Sequence, residues 1–98
     1  MECCCRHKHT ARTDEEIKSL VTRLNRIEGQ IRGIRKMVEE NVYCNDILVQ
    51  ASAANAALHS FSRELLDQHM RSCVADEIRA GNDEVITELM KTLEKLMK

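Results

Sequence analysis

Apolar residues at heptad spacing are the feature that most constrains this chain. They recur at steps of 3, 4, 3, 4, 3 and 4 at Ile17, Leu20, Leu24, Ile27, Ile31, Ile34 and Val38. Such a seam predicts one long helix, over about residues 14–40, that packs along its whole length. Thr13 and Glu16 match a capping box at its start. Asn41 tolerates the left-handed backbone that ends a helix.

A second seam follows, with steps of 4, 3, 4, 3 and 4, at Ile47, Ala51, Ala54, Leu58, Phe61 and Leu65. It predicts a helix from near Cys44 to Ala80, with Gly81 as the stop signal. Five alanines between residues 51 and 57 would let another helix approach closely. A shorter third helix follows Asn82, with its apolar stripe at Ile86, Leu89, Leu93 and Leu96.

Composition agrees with an all-α fold and excludes an all-β one. Proline is absent, there are three glycines, and aromatic residues are 2% of the chain, whereas sheets favour aromatic residues and need turn residues. We expect the two long helices to form an antiparallel hairpin within a single domain over 13–98. Residues 1–12 form a Cys- and His-rich mobile tail without periodicity. Because so small a hairpin cannot close a core alone, we expect an obligate oligomer.

Charge and cysteine content narrow the function classes. The net charge is −1, so any nucleic-acid role must depend on a local patch. No apolar run reaches the roughly 18 residues of a membrane span, and the first residues lack the apolar region of a signal peptide. The five cysteines are therefore expected in the reducing cytoplasm, where they serve metal or redox chemistry more often than disulfides.

Cys44, His69 and Cys73 form the main candidate metal site. His69 and Cys73 are four residues apart, on one helix face, but Cys44 precedes His69 by 25 residues, roughly 37 Å of straight helix. Two chains with antiparallel second helices solve this, because a two-fold axis near residue 58 puts Cys44 of one chain beside His69 and Cys73 of the other. Three soft ligands favour Cu(I), whereas structural zinc usually takes four. The alternative is a helix-end Cys, a surface His and a core Cys.

Three segments resemble the copper-sensitive operon repressor family. They are Arg26-Ile27-Glu28-Gly29-Gln30-Ile31-Arg32-Gly33-Ile34, Tyr43-Cys44-Asn45-Asp46-Ile47-Leu48-Val49-Gln50 and His69-Met70-Arg71-Ser72-Cys73. The resemblance covers about residues 14–97. It implies a dimer built as a four-helix bundle, assembled into a dimer-of-dimers tetramer. It also implies a repressor that releases operator DNA when its effector binds, here Cu(I), and so derepresses copper-efflux genes.

The ligand set discriminates between branches of that family. Nickel and cobalt sensors place a His at the position of Cys73 or add an upstream one, at the position of Arg12 here. His7 and His9 lie close to that position in the sequence, so nickel sensing remains the alternative. The resemblance also implies a second shell around His69, made of Tyr43 and, with one residue deleted in the preceding turn, Glu88.

The first long helix is strongly basic and is the candidate DNA surface. Between Ile17 and Val38, Glu28 is the only acid, and six residues are basic: Lys18, Arg23, Arg26, Arg32, Arg35 and Lys36. Repeated by oligomer symmetry, they would make an extended phosphate-binding surface; the alternative is a solvated helix face. In the second helix, Asn55 and His59 replace the longer polar or basic residues of relatives, and we leave both out of the surface.

Other function classes remain open. One is a cytoplasmic copper buffer or chaperone, and another is a thiol-reactive sensor using Cys44 and Cys73. The basic helix favours a repressor, because a buffer needs no such face, and a copper chaperone would then be a possible partner. No catalytic dyad is present, so we expect no enzyme. The tail residues Cys3, Cys4, Cys5, His7 and His9 are outside the family pattern and would at most add auxiliary metal capture.

Overall fold

The structure, a computed structural model, describes residues 12–97, which are helical apart from short turns. The helices are α1 (Asp14–Glu39), α2 (Cys44–His69), α3 (Ala75–Arg79) and α4 (Glu84–Leu96), with a π-helical turn at Met70–Val74 between α2 and α3. The predicted all-α fold class is confirmed. Within residues 12–97, no helix is both long and apolar enough to cross a bilayer. The predicted tail lies almost wholly outside the described residues.

Local hydrogen bonds set both ends of α1, as the sequence predicts. Thr13 Oγ1 accepts from the Glu16 backbone N–H at 3.1 Å, and the Glu16 carboxylate accepts from the Thr13 N–H at 2.9 Å. At the other end, Asn41 takes a left-handed φ of 56°. The N–H groups of Asn41 and Val42 then donate to the carbonyls of Val38 and Met37. This closing motif satisfies carbonyls that the helix end would otherwise leave unpaired.

Helix α1 and most of α2 form one compact unit, Arg12–Leu65, in which the two helices run antiparallel. Ile17, Leu20 and Leu24 line the same small cleft as Phe61 and Leu65. The Arg23 guanidinium donates to Ser60 Oγ at 2.8 Å across the pair. The predicted hairpin is therefore present within this unit.

The two heptad positions of α1 differ in exposure. Leu20 and Ile27 are buried, and Ile34 is half-buried. The other position stays open, with exposures of 46%, 41%, 57% and 58% at Ile17, Leu24, Ile31 and Val38. We call these four residues the exposed apolar column. The hairpin thus buries only one of its two heptad positions, which leaves apolar surface of the kind that marks an interaction site.

Residues 66–97 belong to a second compact unit, whose buried apolar residues are Cys73, Val74 and Val85. The sequence predicted uninterrupted α-helix as far as Ala80, whereas residues 70–74 are π-helical. Here Ser72 Oγ donates to the Gln68 carbonyl at 2.7 Å. A Ser hydroxyl bonded in this way competes with the backbone N–H for the i−4 carbonyl and so disturbs the α-helical ladder.

The turn between α3 and α4 uses Gly81 and Asn82. Gly81 has a φ of 85°, the left-handed conformation that glycine adopts without a steric penalty. Asn82 Oδ1 accepts from the Glu84 N–H at 3.2 Å, which helps to cap α4. On α4 the most buried residue is Val85, while the predicted stripe residue Ile86 is 43% exposed. Leu89 and Leu93 are half-buried as predicted, whereas Leu96 is exposed, so the buried side of α4 includes Val85 in place of Ile86 and Leu96.

Candidate metal centre and nucleic-acid interface

Cys44 is the first residue of α2 and carries a free, exposed thiol. The Tyr43 carbonyl accepts from the N–H groups of Asp46 and Ile47, at 3.0 and 3.3 Å, so the helix starts directly at the cysteine. This position holds the Cys44 backbone rigidly while leaving its sulfur accessible from outside the chain. A second chain can therefore reach it.

His69 and Cys73 lie at the opposite end of α2. His69 is the last residue of that helix and is half-buried, whereas Cys73 lies in the π-helical turn and is fully buried. Bonds in a π turn join residues five apart, so a spacing of four keeps these residues within one turn. The Cys73 sulfur is engaged in a disulfide, and it becomes a thiolate ligand only after reduction.

Residues 12–97 of one chain do not bring together three or more His, Cys, Asp or Glu side chains in a group that could hold a metal. Cys44 and His69 are the two ends of a 26-residue helix, and a helix of that length extends about 39 Å. Cys44, His69 and Cys73 can form one site only if a second chain contributes. The shared site remains a prediction.

Glu77 is a buried carboxylate that the sequence analysis did not identify. It lies one turn after Cys73 and is fully buried. The Asn82 side chain donates to Glu77 Oε2, and the Asn82 backbone N–H donates to the Glu77 carbonyl at 2.9 Å. Charged side chains are almost never fully buried unless they are paired, so the sequence alone predicts an exposed Glu77. The one sequence feature that could have indicated its burial is Asn82, a hydrogen-bond donor in the following turn.

The two residues assigned to a second shell are both exposed. Tyr43, 74% exposed, directly precedes α2. Glu88 lies on α4 beside a shallow groove that Lys91 and Lys95 also line. Neither exposure tests their role, because the proposed site needs a partner chain. Both assignments stay predictions.

The six basic residues of α1 fall into two groups by their contacts. Arg23 bonds Ser60 and lies 4.0 Å from Glu64, Arg32 pairs with Glu28 at 2.6 Å, and Arg35 lies 3.9 Å from Glu39. Lys18, Arg26 and Lys36 are exposed and make no ion pair with any residue from 12 to 97. The i,i+4 spacing of the Arg32 and Arg35 pairs is visible in the sequence, whereas the Arg23 contacts depend on the packing of α2 and are not.

A shallow groove runs along the surface of α1 at its N-terminal half. It is lined by Glu15, Lys18, Ser19, Thr22, Arg23 and Arg26. Its charged lining residues are three cations, Lys18, Arg23 and Arg26, and one acid, Glu15. A concave surface with this charge suits an anionic partner better than an apolar one.

The sequence matches a model of the family described as metal-sensitive transcriptional repressors over residues 16–95. It is 46% identical over 88 residues to the copper-sensing transcriptional repressor CsoR of Bacillus subtilis, covering 89% of this chain and 87% of that one. It is 44% identical over 75 residues to the copper-sensing transcriptional repressor RicR of Mycobacterium tuberculosis, covering 76% and 74%.

Solved structures of similar proteins support the same family. The structure of CsoR with Cu(I) from Geobacillus thermodenitrificans matches with a TM-score of 0.85 and 50% identity, covering 91% of this chain and 94% of that one. The nickel-responsive regulator InrS matches with a TM-score of 0.69 and 36% identity, covering 89% and 96%. The fold, the arrangement of α1 and α2 and these matches together assign the function class: the chain belongs to the family of metal-sensitive transcriptional repressors.

Proposed function

We propose that this protein is a copper(I)-responsive repressor that binds operator DNA in its metal-free form and releases it when Cu(I) binds. The observation that carries the proposal is the donor set at the two ends of α2, a free exposed Cys44 and the pair His69 and Cys73. The relatives named above as copper-sensing repressors support the choice of metal. Copper-efflux genes would be the regulated targets.

The donor set fits Cu(I) by its chemistry. Cys44 from one chain, with His69 and Cys73 from the other, supplies two thiolates and one imidazole, which are soft ligands. Tyr43 and Glu88 would orient His69 and select the nitrogen that faces the metal. Because Cys73 must be reduced to serve, the site operates in a reducing compartment, and we place the protein in the cytoplasm, where its DNA lies.

A homodimer is part of this proposal. The exposed apolar column of α1 offers a self-complementary surface that a second hairpin can cover. Such a dimer would be a four-helix bundle, and two dimers would form the tetramer. With α2 helices antiparallel about a two-fold axis near residue 58, each end of one α2 meets the opposite end of the other.

Coupling between metal and DNA follows from the way α1 is attached. Holding Cys44 against the partner chain's ligands fixes the two α2 helices relative to each other. Helix α1 is bonded to α2 through Arg23 and Ser60, so its basic surface must follow. Cu(I) releases DNA only if it binds the DNA-free arrangement more tightly than the DNA-bound one. The protein needs no catalytic group for this.

The test is a gel shift of the DNA upstream of copper-efflux genes, using the reduced, full-length protein. We expect binding without metal and release at one Cu(I) per site, with no release by Ni(II) or Zn(II). Release by Ni(II) alone would replace copper with nickel, the metal named for the structural relative InrS. Copper binding without any DNA binding would favour the buffer or chaperone and overturn the proposal.

A further inference from the structure

Glu77 is the only charged residue among residues 12–97 that is fully buried, and it lies one helical turn after Cys73, which is fully buried as well. We propose that Glu77 is a positioning residue of the metal centre: bonded to Asn82, it holds the turn that contains Cys73 in the orientation that Cu(I) requires. The proposal deepens the proposed function and rests on it, because it takes Cys73 as a copper ligand. We call the bonded pair of Glu77 and Asn82 the turn clamp.

Stability alone does not explain a carboxylate at position 77. Taking a charged group out of water is costly, and replacing a buried charged group by a well-packed apolar one is often neutral or stabilising. The helix that contains Glu77, Ala75–Arg79, has only five residues, and an isolated helix of that length is not stable in water. The contribution of Glu77 therefore lies in its hydrogen bonds, which tie this short helix to the chain that follows it.

Two hydrogen bonds join Glu77 to the same residue. The Asn82 side-chain amide donates to Glu77 Oε2, and the Asn82 backbone N–H donates to the Glu77 carbonyl at 2.9 Å. Asn82 Oδ1 in turn accepts from the Glu84 N–H at 3.2 Å, where α4 begins. Because one bond reaches the backbone of Glu77 and the other its side chain, the turn clamp fixes both the position and the rotation of the last turn of α3.

The orientation of Cys73 depends on the turn that the clamp fixes. Cys73 lies in the π-helical turn Met70–Val74, and the nearest regular helix is α3, which begins two residues later. Cys73 and Glu77 are four residues apart, so their side chains lie on one face of the helix. A rotation of α3 therefore moves the Cys73 sulfur, and a binding group must be held to within about 0.5 Å and 10–20° of its productive position.

Other roles for this carboxylate do not fit the geometry. Glu77 follows His69 by eight residues, roughly 12 Å along a helix, which is too far for a hydrogen bond to the imidazole. His69, Cys73 and Glu77 do not form a group that could hold a metal within residues 12–97 of one chain. Glu77 therefore differs from a ligand, and it also differs from Tyr43 and Glu88, which the proposed function places around His69 itself.

The first test exchanges donor and acceptor within the turn clamp. Glu77→Gln keeps an acceptor for the Asn82 amide, whereas Asn82→Asp keeps the acceptor for the Glu84 N–H and loses the donor to Glu77. In the double variant, the new amide at position 77 can donate to the new carboxylate at position 82. Competition with a Cu(I) chelator measures copper affinity on the reduced, full-length protein.

The donor exchange should restore copper binding. We expect Asn82→Asp to lose about 10–100-fold in Cu(I) affinity, the range for groups that orient a metal ligand. Glu77→Gln and the double variant should both stay within about 3-fold of the parent, because each retains a hydrogen bond between positions 77 and 82. If Asn82→Asp does not fold, Asn82→Ala removes the donor without adding charge and should show the same loss.

The second test separates positioning from a general loss of stability. Val85→Ala shortens a buried residue of the same compact unit and leaves the turn clamp intact. Both Val85→Ala and Asn82→Asp should lower the melting temperature, but only Asn82→Asp should weaken Cu(I) binding by more than about 3-fold and change the ultraviolet absorption of the Cu(I)–thiolate bonds. Operator binding without metal should persist in both variants, because no metal ligand takes part in it.

Each contrary outcome has a distinct meaning. If the parent binds Cu(I) and releases DNA but Asn82→Asp keeps the parent's copper affinity, this inference fails and the proposed function stands. Equal losses in Asn82→Asp and Val85→Ala would overturn it as well, since any loosening of this unit would then suffice. A loss of 10-fold or more in Glu77→Gln would show that the charge matters and the hydrogen bond does not. If the parent binds no Cu(I), the inference and the proposed function both fail.

Discussion

Individual residues at the far end of α2 have unusual surroundings for a short helical chain. Cys73 and Glu77 are one turn apart and both fully buried, and the π-helical turn contains the first of them. Turns of this kind occur frequently at functional sites. The proposed ligand Cys73 therefore lies where the helix is already irregular. His69, at the junction, is the residue through which we expect the two functions to separate.

Replacing His69 by Ala should weaken copper binding and leave DNA binding intact. Loss of a group that only orients a ligand typically costs about 10–100-fold in metal affinity, and loss of the ligand itself should exceed this. Copper affinity and operator affinity are both measured on the reduced protein. His59→Ala, an exposed histidine on the same helix, is the control and should change neither. Release of DNA from the His69 variant at the parent's copper level would contradict the assignment.

Asn82 should contribute more to the free energy of unfolding than a partly exposed residue usually does. Its side chain donates to the buried Glu77 carboxylate and accepts from the Glu84 N–H at the start of α4. Asn82→Ala removes both bonds, one of them to a buried carboxylate, and the loss should cost about 1–3 kcal/mol. Urea unfolding measures the change in free energy. Asn45→Ala, an exposed residue in the first turn of α2, should change it by less than about 0.5 kcal/mol.

At the scale of elements, the sequence predicts what depends on local pattern and misses what depends on contacts. Heptad spacing and the Thr13–Glu16 box placed α1 almost to the residue, because both act within a few residues along the chain. The π-helical turn was not predicted. The sequence does not distinguish Ser72 from any other serine in a helix, and only the structure shows that its hydroxyl donates to the Gln68 carbonyl. The pairing of Arg23 with Ser60 depends on residues 37 apart, which no spacing rule connects.

The exposed apolar column of α1 should control dimerisation. Leu24→Ala with Ile31→Ala shortens two of its members, which are 41% and 57% exposed in one chain. If a second chain buries them, the loss of at least about 2 kcal/mol raises the dimer dissociation constant about 30-fold. Sedimentation equilibrium measures this constant. Thr22→Ala, on the opposite side of α1, is the control, and an unchanged constant in the double variant would show that the column lies outside the interface.

At the scale of the whole molecule, the candidate functional features lie on α1 and α2. Helix α2 carries the proposed ligands Cys44 and His69 at its two ends, and α1 carries both the exposed apolar column and cations that form no ion pair within residues 12–97. No single chain, within residues 12–97, assembles a metal-binding group. The separation of Cys44 and His69 along α2 is the reason for predicting a site shared by two chains, and that site stays a prediction. The orientation of the second chain does not follow from the sequence of one chain and is established by experiment.

Mixing two inactive variants tests that orientation. Cys44→Ala and Cys73→Ala each destroy every site in their own homodimer, so neither should bind Cu(I) tightly. In a mixed dimer, the Cys73→Ala chain supplies Cys44, and the Cys44→Ala chain supplies His69 and Cys73. One complete site per heterodimer should therefore appear, while the second lacks both thiolates. Competition with a Cu(I) chelator under reducing conditions measures the stoichiometry, and two affinity tags isolate the heterodimer. A ligand set contained in one chain predicts no copper in the purified heterodimer, and that result would rule out the shared site.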